Sequence, residues 1–225
     1  MTEQTITLTV PEVPLPETGD ERERRDYLAE TAKRVTDSLS RRIPPRFDHA
    51  TITDPAVGRW AQGLIDAAMD PIGPRSHPLR PHISRGPSLL LLGGTGVGKT
   101  HQAWGAVRQL AATGLLRGWQ FITAPDLYGE LRPRAGSDSE RTFREITSAS
   151  LLVVDDLGAA KSSEWTEEIT YRVVNSRYES ERPTLWTSNL TGPELREVLG
   201  ERIVSRLSTC TRITLGGLDR RRKAS

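Results

Sequence analysis

The run Gly93-Gly94-Thr95-Gly96-Val97-Gly98-Lys99-Thr100 carries residue types, at the right spacing, that can hold a chain of phosphates. It fits the pattern G-x-x-x-x-G-K-[ST], with Gly93 and Gly98 as its two fixed glycines. Glycines let the backbone turn tightly and aim its N–H groups inward as an anion-binding nest. A helix starting near Gly98 adds the positive end of its dipole. Lys99 supplies a mobile charge for the outer phosphates, and the Thr100 hydroxyl suits a Mg²⁺ ion. The chemistry is binding of a nucleoside triphosphate. The plainer alternative is a glycine-rich turn that binds nothing. An apolar strand before the loop and a helix after it argue against that.

Hydrolysis needs further groups. In Leu151-Leu-Val-Val-Asp155-Asp156, four apolar residues read as a buried strand with two acids at its carboxyl end, where parallel sheets bind ligands. Asp155 is placed to anchor Mg²⁺ with Thr100, and Asp156 to orient or deprotonate an attacking water. Asn189, at the tip of the strand expected at Thr184–Ser188, could hydrogen-bond both that water and the terminal phosphate, or could be a turn residue before a helix cap at Thr191. Arg202 and Arg206 lie four apart on one helical face. An arginine offered by a neighbouring subunit can stabilise charge developing on a transferred phosphate. A solvated or salt-bridged face is the alternative.

The elements that must position these groups alternate along the chain. Strands are expected at 88–92, 119–123, 151–155, 184–188 and 211–215, and helices at 99–113, 125–132, 140–147, 164–181, 192–199 and 201–208. Five strands joined by helices predict a three-layer α/β fold around a parallel sheet. Upstream, residues 1–20 read as an extended, disordered lead, and Pro55 opens a helix running to about Met69. From Glu21 to Ile43, the residues Leu28, Ala32, Val35, Leu39 and Ile43 draw one apolar stripe along a charged helix. That stripe packs either on the chain's own main domain or on a partner.

Composition is compatible with this reading. The chain has 225 residues, 36% hydrophobic and 27% charged, with a net charge of +2. This neither demands nor excludes a nucleic-acid partner. No apolar run reaches the roughly 18 residues needed to span a membrane, and the first ten residues lack the pattern of a signal peptide. The single cysteine, Cys210, rules out an internal disulfide, fits a cytoplasmic location and reads as a small core residue. The basic tail 219–223 could touch phosphates or be a solvated end.

Taken in order, Ile43-Pro-Pro-Arg-Phe47, Gly93 to His101, Leu152-Val-Val-Asp-Asp-Leu-Gly158, Arg177-Tyr178, Thr187-Ser-Asn189 and Gly200-Glu-Arg-Ile-Val-Ser-Arg-Leu207 resemble the DnaC/DnaI-type helicase loaders, and more distantly the IstB-type transposition ATPases. The resemblance covers residues 43–222. It implies a P-loop NTPase fold of the AAA+ type, residues 43–225, preceded by a short helical segment, residues 1–42, that could grip a helicase. It also implies ATP and Mg²⁺ as cofactors, with ATP hydrolysis at the interfaces of a homo-oligomer. Gly93 to Thr100 would be Walker A, Asp155 and Asp156 Walker B, and Asn189 sensor 1. Arg206 would be an arginine finger acting in trans, and Phe47 and His101 would belong to the nucleotide-binding set, with Phe47 near the adenine. A second sensor arginine could sit at 220–221. The stretch from Leu127 to Arg144, with Arg132, Arg134, Arg141 and Arg144, would meet single-stranded DNA, with Tyr128 and Phe143 either stacking on bases or lying in the core. The expected partner is a replicative DnaB-type helicase. A transposition helper on duplex DNA is the alternative, and the acid pair, Asn189 and the Arg206 segment argue against a small-molecule kinase. The segment before Ile43 has no cysteine or histidine cluster, so the zinc-binding domain of some members is not expected there.

Overall fold

Four consecutive leucines can be buried on both faces only inside a sheet covered on both sides. In the computed structural model, which describes residues 4–12, 18–70, 77–136 and 138–217, Leu89–Leu92 forms such a strand, β1. Strand β4 (Thr184–Ser188) pairs with it in parallel on one side, and β5 (Thr211–Thr214) on the other. Strand β3 (Leu151–Asp155) pairs in parallel with β4, and β2 (Trp119–Thr123) lies beyond it, giving the order β2-β3-β4-β1-β5. The inner strands β1, β3 and β4 are buried at every position. Edge strand β5 buries only Ile213. This is the five-stranded parallel sheet that the sequence predicts.

By internal contacts the chain forms two compact units, Met1–Gly86 with His101–Trp119, and Pro87–Thr100 with Gln120–Ser225. The second unit holds most of the sheet. One sheet face presents Leu90, Leu92, Leu152, Val154 and Trp186, alternate residues of their strands. They pack with Leu127 and Leu131 of α4 (Ala124–Leu131), Ile169 and Val173 of α6 (Glu164–Glu179), Leu195 and Leu199 of α7 (Gly192–Leu199), and Ile203 and Leu207 of α8 (Glu201–Leu207). Helix α5 (Ser139–Ser148) adds Ile146. Burying one such aliphatic side chain contributes about 1.5–3 kcal/mol.

The first unit contains α1 (Thr18–Ser40), α2 (Pro55–Met69) and most of α3 (Lys99–Ala112). Asp54 caps α2 by accepting from the N–H groups of Ala56 and Val57. The apolar stripe of α1 is used inside this unit. Thr31, Val35 and Leu39 are buried, and Leu28 and Ala32 are half-buried. Where α3 ends, Gly114 has φ +77°, and a Cβ there would overlap the Leu28 carbonyl, so the close approach of α1 requires glycine. Helix α1 stops at Ser40 instead of Ile43 because a residue before proline is driven out of the helical region. It begins at Thr18, earlier than the charge pattern suggests.

Residues 4–12 are extended but tethered. The Ile6 N–H donates to Ile52 O at 2.7 Å, and the Gln62 side chain both accepts from Thr9 N and donates to Thr9 O. The rest of the expected lead, residues 1–3 and 13–17, and the tail 218–225, with its candidate second sensor arginine, lie outside the described residues. Among the described residues, no helix is long and apolar enough to cross a membrane.

Candidate nucleotide-binding site

The strand order decides which side chains meet. Because β4 lies between β1 and β3, the glycine loop at the tip of β1 and the acids at the tip of β3 flank the tip of β4. Thr187 and Asn189 are therefore central. The loop fits a phosphate cradle on two observations. Gly93 has φ +145°, and a Cβ there would overlap the Leu215 carbonyl, so the loop can leave β1 only through glycine. Its crest, Gly94 and Thr95, is exposed, with backbone open to a ligand.

Lys99, the first residue of α3, is buried, and its Nζ donates to Gly93 O at 2.8 Å, Gly94 O at 2.9 Å and Asn189 Oδ1 at 2.6 Å. Asn189 Nδ2 in turn donates to Asp156 Oδ1 at 3.2 Å. One chain of hydrogen bonds thus links loop, lysine, amide and carboxylate. Asp156 sits at φ +57°, a conformation few residues other than glycine adopt. Its N–H is held by Thr187 Oγ1 at 3.0 Å.

Asp155 is buried and accepts from Thr100 Oγ1 at 3.0 Å and from Thr187 Oγ1 at 2.6 Å. Burial pushes its carboxyl above the ordinary aspartate value, and the Asp156 charge adds to this. The Thr187 and Thr100 hydroxyls and the Lys99 charge oppose it. A buried carboxylate beside a hydroxyl is a fitting oxygen donor pair for Mg²⁺. Lys99, Thr100, Asp155, Asp156 and Asn189 are thus brought together within one unit.

The other expected residues are seen in contacts of their own. Arg206 Nε donates to Asn175 Oδ1 at 2.7 Å, and its terminal nitrogens donate to Arg202 O and Tyr171 Oη. It shares no contact with Lys99, Asp156 or Asn189 among these bonds. Phe47 and His101 belong to the first unit. There the Phe47 ring stacks on Trp104, and His101 Nε2 accepts from the Thr51 N–H at 3.4 Å.

In the candidate DNA stretch, Tyr128 is a core residue. It is buried among the helices, its hydroxyl is bonded to Thr170 at 2.8 Å, and burial raises its pKa. Phe143 is partly buried under the Arg172 guanidinium. Arg141 pairs with Glu145, Arg144 bonds Glu140 O, and Arg132 and Arg134 are exposed.

Two residues escape sequence reasoning. Thr187 bridges both acids, a role that follows only from β4 pairing with β3. The signal in the sequence is the polar Thr-Ser-Asn ending of a buried strand. Arg177 is buried, with no carboxylate partner among the described residues. It donates to the carbonyls of Thr147, Ala149 and Pro183 and to Thr184 Oγ1, and burial lowers its pKa to about 9. It ties the end of α6 to the starts of β3 and β4, beneath the site.

Comparison with known proteins places this geometry in a family. Residues 81–211 match the family model of the IstB-like ATP binding protein. The replicative helicase loader DnaC of Escherichia coli (strain K12) is 30% identical over 125 residues, covering 53% of this chain and 49% of that protein. The insertion sequence IS5376 putative ATP-binding protein of Geobacillus stearothermophilus is 32% identical over 127 residues, covering 55% and 48%. The chain thus spans about half the length of the curated relatives it matches. A crystal structure of the DnaC helicase loader superimposes with a TM-score of 0.60 at 22% identity, covering 77% of this chain and 100% of that one. With a model match over more than half its residues, the chain belongs to the IstB-like ATP-binding proteins and has the AAA+ P-loop NTPase fold.

Proposed function

We propose that this protein is a cytoplasmic ATPase that loads a replicative ring helicase onto single-stranded DNA, turning over ATP where two copies meet. The observation that carries the enzymatic part is the hydrogen-bond chain from Lys99 through Asn189 to Asp156, beside the Thr100–Asp155 pair. A site that only held a nucleotide would need the lysine but not an amide-oriented second acid. When bound, Mg²⁺-ATP supplies the phosphoanhydride bond to be broken. Lys99 exchanges the carbonyls of Gly93 and Gly94 for phosphate oxygens. Thr100 and Asp155 offer oxygen ligands to the metal. Asp156, its carboxylate fixed by Asn189, orients a water and accepts its proton. Arg206 of a second copy neutralises charge on the departing phosphate.

Similarity to the helicase loader supports the loading role. The exposed Arg132, Arg134 and Arg144 suit a DNA backbone. With Val35 and Leu39 buried in its own unit, α1 offers a helicase chiefly its outer face, where Arg22, Glu23, Arg25, Asp26, Lys33 and Arg34 are exposed. Such a contact weakens with salt. A second reading, a transposition helper on duplex DNA, is favoured by the IstB-like family match and the insertion-sequence relative. A helicase-loading assay on circular single-stranded DNA separates the two. ATP-dependent unwinding that requires this protein is expected. Filaments on duplex DNA, with no helicase delivered, would replace the loader with the helper.

A further inference from the structure

Three residues of α6, Tyr171, Asn175 and Tyr178, lie four and three positions apart and so share one face of the helix. Arg206 of α8 lies across that face. Its guanidinium carbon is 5.0 Å from the Tyr171 ring centre and 6.0 Å from that of Tyr178. Its Nε donates to Asn175 Oδ1 at 2.7 Å. One terminal nitrogen donates to Arg202 O at 3.0 Å and the other to Tyr171 Oη at 3.3 Å. A guanidinium has five N–H donors. These bonds use three, so among the described residues two N–H groups remain, one on each terminal nitrogen. Tyr178 is 51% exposed, the one large hydrophobic side chain so exposed among the described residues, which places this cradle at the surface.

We infer that Asn175 is a positioning residue for Arg206: by holding Nε, it presents the terminal nitrogens of the guanidinium outward, toward the nucleotide of a second copy of this chain. The inference rests on the proposed reading of Arg206 as a finger acting between copies. An arginine side chain has four rotatable bonds and loses much freedom when it is fixed. Asn175 fixes the planar group at the one nitrogen that a terminal, two-pronged contact with phosphate oxygens does not need. Both tyrosine rings lie within cation–π distance of the guanidinium and add to its hold. Asn175 itself has no place in the bond network of Lys99, Asp155 and Asp156, so its influence on turnover runs through Arg206.

The test is steady-state ATP turnover of Asn175→Ala, alone and mixed with Lys99→Ala. Loss of the Nε anchor should lower kcat about tenfold while the KM for ATP stays within about twofold, because misplacement of a transition-state contact acts on kcat. The Lys99→Ala protein has a disabled nucleotide site and an intact Arg206 face. Mixing should therefore give Asn175→Ala sites a sound finger and raise their turnover. A variant that is merely misfolded gains nothing from a partner. Wild-type kcat in Asn175→Ala, or a loss that mixing does not relieve, would overturn the positioning role. Arg206→Ala is the control that separates the two readings. If it retains full turnover, the finger assignment falls; if it is inactive while Asn175→Ala is unimpaired, only the cradle does.

Discussion

The strand tips at the nucleotide site and the α6–α8 face that carries Arg206 use polar side chains in opposite ways. At the strand tips the side chains close on one another. Lys99 holds Asn189, Asn189 holds Asp156, and Thr187 holds both acids. On the α6–α8 face, Arg206 is bonded through all three guanidinium nitrogens, to Asn175, Arg202 and Tyr171, beside an exposed tyrosine. The first region is assembled by strand order within one chain. The second is assembled by helical spacing and faces outward. On the proposed function, one chain would carry two complementary halves of an ATPase site, and two copies would complete it.

The comparison can be broken first at the lysine. Lys99→Ala removes a buried cation that meets three acceptors, and it should weaken ATP binding by 10²-fold or more, read by titration with a fluorescent ATP analogue. Retained affinity would remove the nucleotide half from the account. Arg206→Ala should spare that affinity and lower turnover about 10³-fold, the scale on which an arginine finger acts. An equal loss of binding would mean that both regions serve one function within one chain. Asp156→Asn should trap ATP and slow phosphate release by about 10²-fold, as expected when a positioned base is lost.

The smallest effect sharpens the contrast through stability. Burial holds the Asp155 carboxyl above its ordinary value, so the folded chain binds that proton more readily than the unfolded chain. Between the ordinary and the raised value, its contribution to stability therefore falls as pH rises, and the full cost persists above that window. Asp155→Asn removes the buried charge and should raise the nucleotide-free Tm near neutral pH by about 2–4 °C, while Mg²⁺-dependent turnover is lost. A lower Tm by calorimetry would mean that the hydroxyl bonds from Thr100 and Thr187 outweigh the buried charge.

The glycine loop, the acid pair and Asn189 were legible because each is local: an apolar run stops, and the residue beyond it has suitable chemistry. The parallel sheet was legible for the same reason, since four leucines in a row have few other places to go. Thr187 was not, because its two bonds depend on β4 pairing with β3, a fact of topology that no local pattern encodes. Periodicity showed that α1 has an apolar stripe but not what covers it. The structure turns Thr31, Val35 and Leu39 inward within their own unit. Tyr128, open in the sequence between a base-stacking group and the core, is settled by helical spacing in three dimensions, which sets it among Leu127, Leu131 and Thr170. Spacing left Arg206 open between a finger and a solvated face; only the resemblance of its Glu-Arg-x-x-Ser-Arg-Leu segment singled it out, and its bond to Asn175 crosses between helices 31 residues apart.

The central claim, that two halves on different copies make one site, is tested most directly by mixing Lys99→Ala with Arg206→Ala and measuring ATP turnover. Each variant alone should be nearly inactive. At equal mixing about a quarter of interfaces join an intact nucleotide site to an intact Arg206, so turnover per subunit should recover to roughly a quarter of wild type. A mixture as inactive as its components would contradict the account.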